Sequence, residues 1–209
     1  MAKIIPAASL LDFYRRGLFP MAVEGELRLF SPDPRGVIPL EEFRIPHGSR
    51  KTVHDPAWRI TANAAFEDVV LGCAERDETW IDETIFRTYV NLHRLGHAHS
   101  IEVWREGALT GGLYGVAIGA AFFGESMFSR VPGASKVALV KLVARLQERG
   151  FLLLDTQWVT PHLATFGACE MAREEYLEEL ARATSCEADF GSDSGFGAGD
   201  PSLDAGGTE

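Results

Sequence analysis

An α+β protein is predicted, with a mixed sheet flanked by helices and a small lobe ahead of it. Three observations carry that prediction. Residues 100 to 123 alternate and cluster as a hairpin around Gly107, and residues 135 to 155 read as a helix followed by a short, uniformly apolar strand. Seven of the ten prolines fall between Pro6 and Pro56. Each removes a backbone donor and fixes φ, so this N-terminal region is expected to be short elements joined by rigid turns.

Along the chain, a helix is expected from Ala8 to Arg16, stopped by Gly17. SPDPRGVIP, residues 31 to 39, reads as extended and turn-rich. Residues 64 to 76 form a second helix. Asp82 caps a third, whose Ile85, Tyr89, Leu92 and Leu95 keep one face apolar until Gly96. SIEVWRE turns at Gly107 into ALTGGLYGVAIGAAFFG, read as one long central strand. Its Gly111, Gly112, Gly115 and Gly119 imply bulges or a close neighbour, and packing of a helix accounts for some of them equally well. Ser135 to Arg149 carries a broad apolar face of Val137, Leu139, Val140, Leu142, Val143 and Leu146, with Gly150 closing it. FLLLD, 151 to 155, is then a buried strand parallel to the one before the helix, joined by a right-handed crossover. Residues 161 to 182 look helical in two pieces. The domains expected are a lobe of 1–58, a body of 59–183 and a disordered acidic tail of 184–209.

The balance of 46% hydrophobic and 24% charged residues over 209 positions is that of a globular protein. No window reaches the roughly 18 apolar residues of a membrane span, and the first residues lack a signal-peptide pattern, so a cytoplasmic protein is expected. The net charge of -10 disfavours nucleic acid less than it suggests. Residues 184–209 supply six acidic side chains and no Lys or Arg, whereas residues 1–59 carry nine Lys or Arg against seven Asp or Glu. Cys73, Cys169 and Cys186 fit neither a disulfide framework nor a zinc knuckle, and read as buried small hydrophobes.

Ligands of a strand-helix-strand unit sit beyond the carboxyl ends of its strands. Glu125 ends the first strand in FGESMFSR, and Asp155 and Gln157 end the second, so three hydrogen-bonding side chains converge on one rim. Asp155 and Gln157 share a face in extended chain, which lets Asp155 orient Gln157; equally, Asp155 caps the following turn. R-V-P-G-A-S, 130 to 135, resembles the pyrophosphate loop of acetyl-CoA-dependent N-acetyltransferases, and Ser135 reads as well as a plain N-cap. His93, His97 and His99 share no helix face across Gly96, so no metal is expected. No Cys-His pair or G-x-S-x-G elbow marks a covalent nucleophile.

YRRGLFPM (14–21), SPDPRGVIPL (31–40), TWI (79–81), LHRLGHAHSIEVW (92–104), GGLYGVAIGAAFFGESMFSR (111–130), ASKVAL (134–139) and the DTQ and HLATFGA segments (155–168) together resemble the leucyl/phenylalanyl-tRNA protein transferases. The resemblance runs in order from residue 8 to about 180. It implies transfer of Leu or Phe, with Met as a further candidate, from aminoacyl-tRNA to proteins with N-terminal Lys or Arg, marking them for N-degron degradation. It implies no cofactor, and a GNAT-like (acyl-CoA N-acyltransferase) C-terminal domain used without coenzyme A. Carried over, Glu125 holds the terminal adenosine and Trp80 stacks on it. Phe122, Leu113, Leu139 and Leu142 line the side-chain pocket, and Tyr14, Tyr89 and Ser129 help bind the tRNA end. Asp155 and Gln157 orient the incoming amine or accept its proton. Met21 stands where the family has a stacking Trp, Phe30 where it has another, and Gly133 where it has Asn, so altered tRNA-end binding is expected. The alternatives weighed are an acyl-CoA-dependent N-acyltransferase and a non-catalytic tRNA-end or peptide-binding module.

Overall fold

The computed structural model describes residues 4–75 and 79–191. Helix α1 (Ala7–Arg15) follows Pro6 and stops at Gly17, whose φ of 70° favours glycine. Strands β1 (Phe19–Val23) and β2 (Glu26–Phe30) form a separate hairpin, turned by Glu24 and Gly25 with φ of 53° and 77°. Then come β3 (Arg35–Ile38), α2 (Arg50–Val53), β4 (Arg59–Ala62) and α3 (Phe66–Ala74). Helix α4 (Glu83–Arg94) opens as expected, with Asp82 Oδ1 accepting the Ile85 N–H at 2.8 Å.

β5 (Ala98–Arg105) and β6 (Ala108–Ile118) are the expected hairpin at Gly107. The long strand expected through Gly124 instead turns at Gly119 and Ala120, and β7 (Ala121–Ser129) runs back along β6. The reason is local: Gly119 has φ 56°, and a Cβ there would lie 2.6 Å from the Cys186 carbonyl oxygen. α5 (Ala134–Glu148), β8 (Leu153–Gln157), α6 (Pro161–Ala164), β9 (Cys169–Met171) and α7 (Arg173–Ser185) complete the chain. The acidic tail expected to be disordered from 184 is ordered at its start, where Thr184 and Ser185 belong to α7 and Phe190 is buried with its carbonyl held by Arg145; from residue 192 it lies outside the described residues.

The main sheet has the order β4-β5-β6-β7-β8-β3-β9. Only β7 and β8 are parallel, as the strand-helix-strand reading requires, so the sheet is mixed. Alternation along the strands feeds two cores. Tyr114, Val116, Phe123 and Leu153 face one with α1, α3, α4 and α7; Ile101, Leu113, Phe122 and Leu154 face the other with α5. The glycines of β6 serve both purposes foreseen. Gly111 admits α5, a Cβ there falling 2.5 Å from that of Ala134, while Gly115 fits a strand irregularity.

Of the cysteines only Cys73 is buried. Cys169 lies on edge strand β9 and Cys186 just past α7, so position at an edge and a helix end exposes both. Among the described residues no helix is long and apolar enough to cross a membrane.

Candidate active site

β7 and β8 stay paired for three residues, Ala121 with Leu153, Phe122 with Leu154 and Phe123 with Asp155. Beyond them β7 continues beside β6 alone, and the two parallel strands part. A cavity of about 400 Å³ opens between their diverging ends. That is within the ordinary range for a small-molecule site.

Both strands at the opening carry an extra residue. Tyr114 opposes Ser126 and Gly115 opposes Gly124, which leaves Glu125 without a partner in β6. Val37 opposes Asp155 and Gly36 opposes Gln157, which leaves Thr156 unmatched in β3. A bulge re-aims a side chain out of the strand's alternation. Glycine permits each one: a Cβ on Gly115 would sit 2.2 Å from the Phe123 carbonyl oxygen, and one on Gly36 2.4 Å from the Trp158 carbonyl carbon.

The cavity has two ends. Leu113, Leu139, Leu142 and Leu154, from the core facing α5, make an apolar one. Phe19, Met21 and Trp80, from the opposite core, make an aromatic and thioether one. Glu125 and Gln157 lie along the wall, with the half-exposed Trp158 beside them.

Glu125 is held by two phenols. Tyr14 Oη donates to Oε1 at 2.7 Å, Tyr89 Oη donates to Oε2 at 2.7 Å, and the phenol oxygens are 2.5 Å apart. Burial pushes the Glu125 carboxyl up to about 7, against the opposing pull of the two phenols. Both tyrosines are driven well above the usual phenol range by burial and then by Glu125.

Asp155 is fully buried and sits behind the wall. Arg35, itself 1% exposed, donates Nε and Nη2 to its two oxygens at 3.0 and 2.7 Å. Tyr176 Oη donates at 2.6 Å and the Gln157 N–H at 2.8 Å. Arg35 also donates to the Gly17 carbonyl and lies over the rings of Phe19 and Tyr176. Asp155 therefore fixes Gln157 through its main chain, as a turn cap does. Gln157 takes φ 60°, uncommon for a residue with a side chain, and its Nε2 is buried with no partner among the described residues.

Of the residues the sequence nominated, Met21, Trp80, Leu113, Glu125, Leu139, Leu142 and Gln157 line the cavity. Tyr14, Tyr89 and Asp155 act on its wall from behind. Phe122 is not at the wall; it is fully buried among Phe151 and Phe190, because the alternation of β7 carries it under α5. Ser129 is exposed at the start of the next turn, donating to the Val131 carbonyl. Arg130 spends its guanidinium on Glu75 and the Leu109 carbonyl, and Gly133, at φ 91°, occupies the N-cap of α5 where Ser135 was one reading. His93 bonds the Ala98 carbonyl and stacks on Phe66, His99 stacks on Phe190, and no metal-ligating group of three occurs among the described residues; His162, not singled out in the sequence, lines the cavity.

Arg35, Tyr176, Trp158 and Phe19 were missed as site residues. Arg35 looked like a turn residue after two prolines, and only its place in the SPDPR block signalled it.

The family model for leucyl/phenylalanyl-tRNA protein transferase matches residues 37–181. The leucyl/phenylalanyl-tRNA protein transferase of Maricaulis maris is 53% identical over 88% of this chain and 88% of its own. That of Phenylobacterium zucineum is 52% identical over 96% of this chain and 93% of its own, an alignment that takes in most of the N-terminal region. A solved GCN5-related N-acetyltransferase-like protein from Streptococcus suis aligns with a TM-score of 0.39 and 10% identity, covering 79% of this chain and 64% of that one.

Proposed function

Because the chain belongs to the leucyl/phenylalanyl-tRNA protein transferase family, we propose that it moves Leu or Phe from aminoacyl-tRNA onto the α-amino group of proteins beginning with Lys or Arg. The observation that carries this reading is the two-ended cavity crossed by Glu125 and Gln157. Its leucine-lined end suits an apolar aminoacyl side chain. The end with Phe19, Met21 and Trp80 suits a nucleoside, since every base has a face that stacks on aromatic surface. The ester that joins the two then lies beside Glu125 and Gln157.

An aminoacyl ester is already activated, so holding it against an amine supplies much of the rate. Gln157 meets the incoming amine through its carbonyl oxygen, which accepts the amine N–H and leaves the nitrogen lone pair free, and the unpartnered Nε2 is a donor left for the ester, because a buried donor left unpaired costs about 1–3 kcal/mol. Asp155 is a positioning residue: with four donors already on its two oxygens it holds the Gln157 main chain and has no free face for an amine proton. The acetyltransferase-like body of 59–183, a cytoplasmic setting and an N-degron role belong to the same proposal, whereas the lobe expected over 1–58 does not stand apart, because β3 lies inside the main sheet between β8 and β9 and carries Arg35 to Asp155. The parting of β7 and β8 with α5 between them supports the first of these.

The test supplies Leu- or Phe-charged tRNA with a peptide starting in Arg or Lys and follows peptide mass. Addition of one Leu or Phe residue is expected. No addition at high enzyme concentration, or equal addition to a peptide starting in Glu, would contradict the proposal.

A further inference from the structure

We propose that Glu125 carries a proton in the unliganded protein and serves the transfer as its general acid, with Tyr14 and Tyr89 closing a proton relay around it. Three short contacts close a ring: Tyr14 to Glu125, Glu125 to Tyr89, and Tyr89 to Tyr14 at 2.5 Å. Each needs one hydrogen between its oxygens, and the last is at the short end for an O–H···O bond. Two phenols bring two hydrogens. With Glu125 ionised, both go to the carboxylate, and the phenol oxygens face each other lone pair to lone pair. A carboxylic acid brings the third hydrogen. Each member of the ring then donates once and accepts once.

The surroundings favour that state. Tyr14 from α1 and Tyr89 from α4 are fully buried and keep their protons. Tyr114 from β6 packs edge-on against Tyr89, and Asp155 from β8 adds negative potential. Arg35 from β3, whose charge opposes the shift, is committed to Asp155. Burial, the largest influence, brings the carboxyl to about 7.

The consequence rests on the transferase reading. When a neutral amine attacks the ester carbonyl, a C–N bond forms and the C–O bond to the ribose breaks. The nitrogen sheds one proton and the departing oxygen takes one up. Glu125 gives its proton to that oxygen, and the carboxylate left in the ring takes up the proton from nitrogen, so none is gained or lost.

Glu125→Gln keeps a donor and an acceptor in the ring but cannot release a proton. Infrared difference spectra of the full chain, wild type minus Glu125→Gln, are expected to show a protonated-carboxyl band that disappears with a midpoint near pH 7. Tyr14→Phe removes a donor to the carboxylate, so the midpoint moves up, and the alkaline limb of single-turnover transfer moves with it. Glu125→Gln is expected to slow transfer about 10²- to 10⁴-fold. A carboxyl already ionised at about pH 5.5 would overturn the protonated ring, as free glutamate titrates near 4.3. A Glu125→Gln rate within about threefold of wild type, or a limb that stays while the infrared midpoint moves, would overturn the acid role. Failure of the wild type to transfer at all would instead defeat the transferase reading, and the infrared midpoint would still decide the proton.

Discussion

Replacing Arg35 by Met tests whether the buried pair behind the wall holds the site together. The change leaves the Asp155 carboxylate at 0% exposure with Tyr176 and the Gln157 N–H as its remaining donors. Removing one partner of a buried ion pair costs about 3–5 kcal/mol, because the other charge stays desolvated. For a chain of this size about 1 kcal/mol shifts the melting temperature by 2–4 °C, so a fall of roughly 6–20 °C is expected by calorimetry. Arg35→Lys recovers only part of it, since an ammonium cannot bond both carboxylate oxygens and the Gly17 carbonyl in one plane. The double variant Arg35→Met, Asp155→Leu removes both charges but leaves the Tyr176 hydroxyl and the Gln157 N–H unpaired, so it should melt above the single variant and below the wild type while transferring poorly. A loss under about 1 kcal/mol in Arg35→Met, or a double variant no more stable than the single, would refute the argument.

Gly36→Ala drives a methyl to 2.4 Å from the Trp158 backbone, so about 1–3 kcal/mol of strain displaces the end of β8. Transfer should fall on the order of 10²-fold through a misplaced Gln157, measured in single turnover beside a melting curve. Trp158 lines the cavity edge-on to Phe19 at 5.2 Å, so it extends the nucleoside end, and Trp158→Ala should weaken binding of a tRNA acceptor-stem fragment roughly 5- to 150-fold, the value of one lost stacking surface, with little change in melting; unchanged affinity would remove Trp158 from that end. His99 is held down to about 4 by burial first, then by His93 and Arg145. Between pH 4 and the unfolded value of 6.5 the unfolded chain binds the extra proton, so stability falls as pH drops through that window, on the order of 3 kcal/mol in all. Glu125, shifted upward, contributes the opposite slope between 4.5 and about 7. Comparing urea unfolding of wild type and His99→Gln across pH isolates the histidine, and parallel profiles would count against it.

Elements whose apolar spacing is local were legible. The face of α5, the run of β8 and the Gly107 hairpin each sit within a few residues of their own signal. β3 was not, because its four residues pair with Asp155, Gln157 and Cys169, far along the chain, and nothing in R-G-V-I marks those partners. The same distance hid the role of Arg35. Glu125 was found for a sound reason, the polar interruption of an apolar strand, but its aim depends on a register shift that no pattern of residue types announces. Phe122 was assigned to the wall by resemblance, whereas the pleat of β7 turns it under α5. Gln157 reaches the rim as expected, but Asp155 sits buried behind it, and their link is a carboxylate to a main-chain N–H.

The two unmatched residues, Glu125 and Thr156, make the opening a miscount between neighbouring strands. Deleting either would restore an unbroken ladder with its partner, β6 for one and β3 for the other. Selection for a more regular sheet would therefore run toward a chain that is tidier and inert. Keeping one residue too many on each side of the gap is a constraint on length rather than on residue type, so insertions and deletions here should be tolerated less than substitutions nearby.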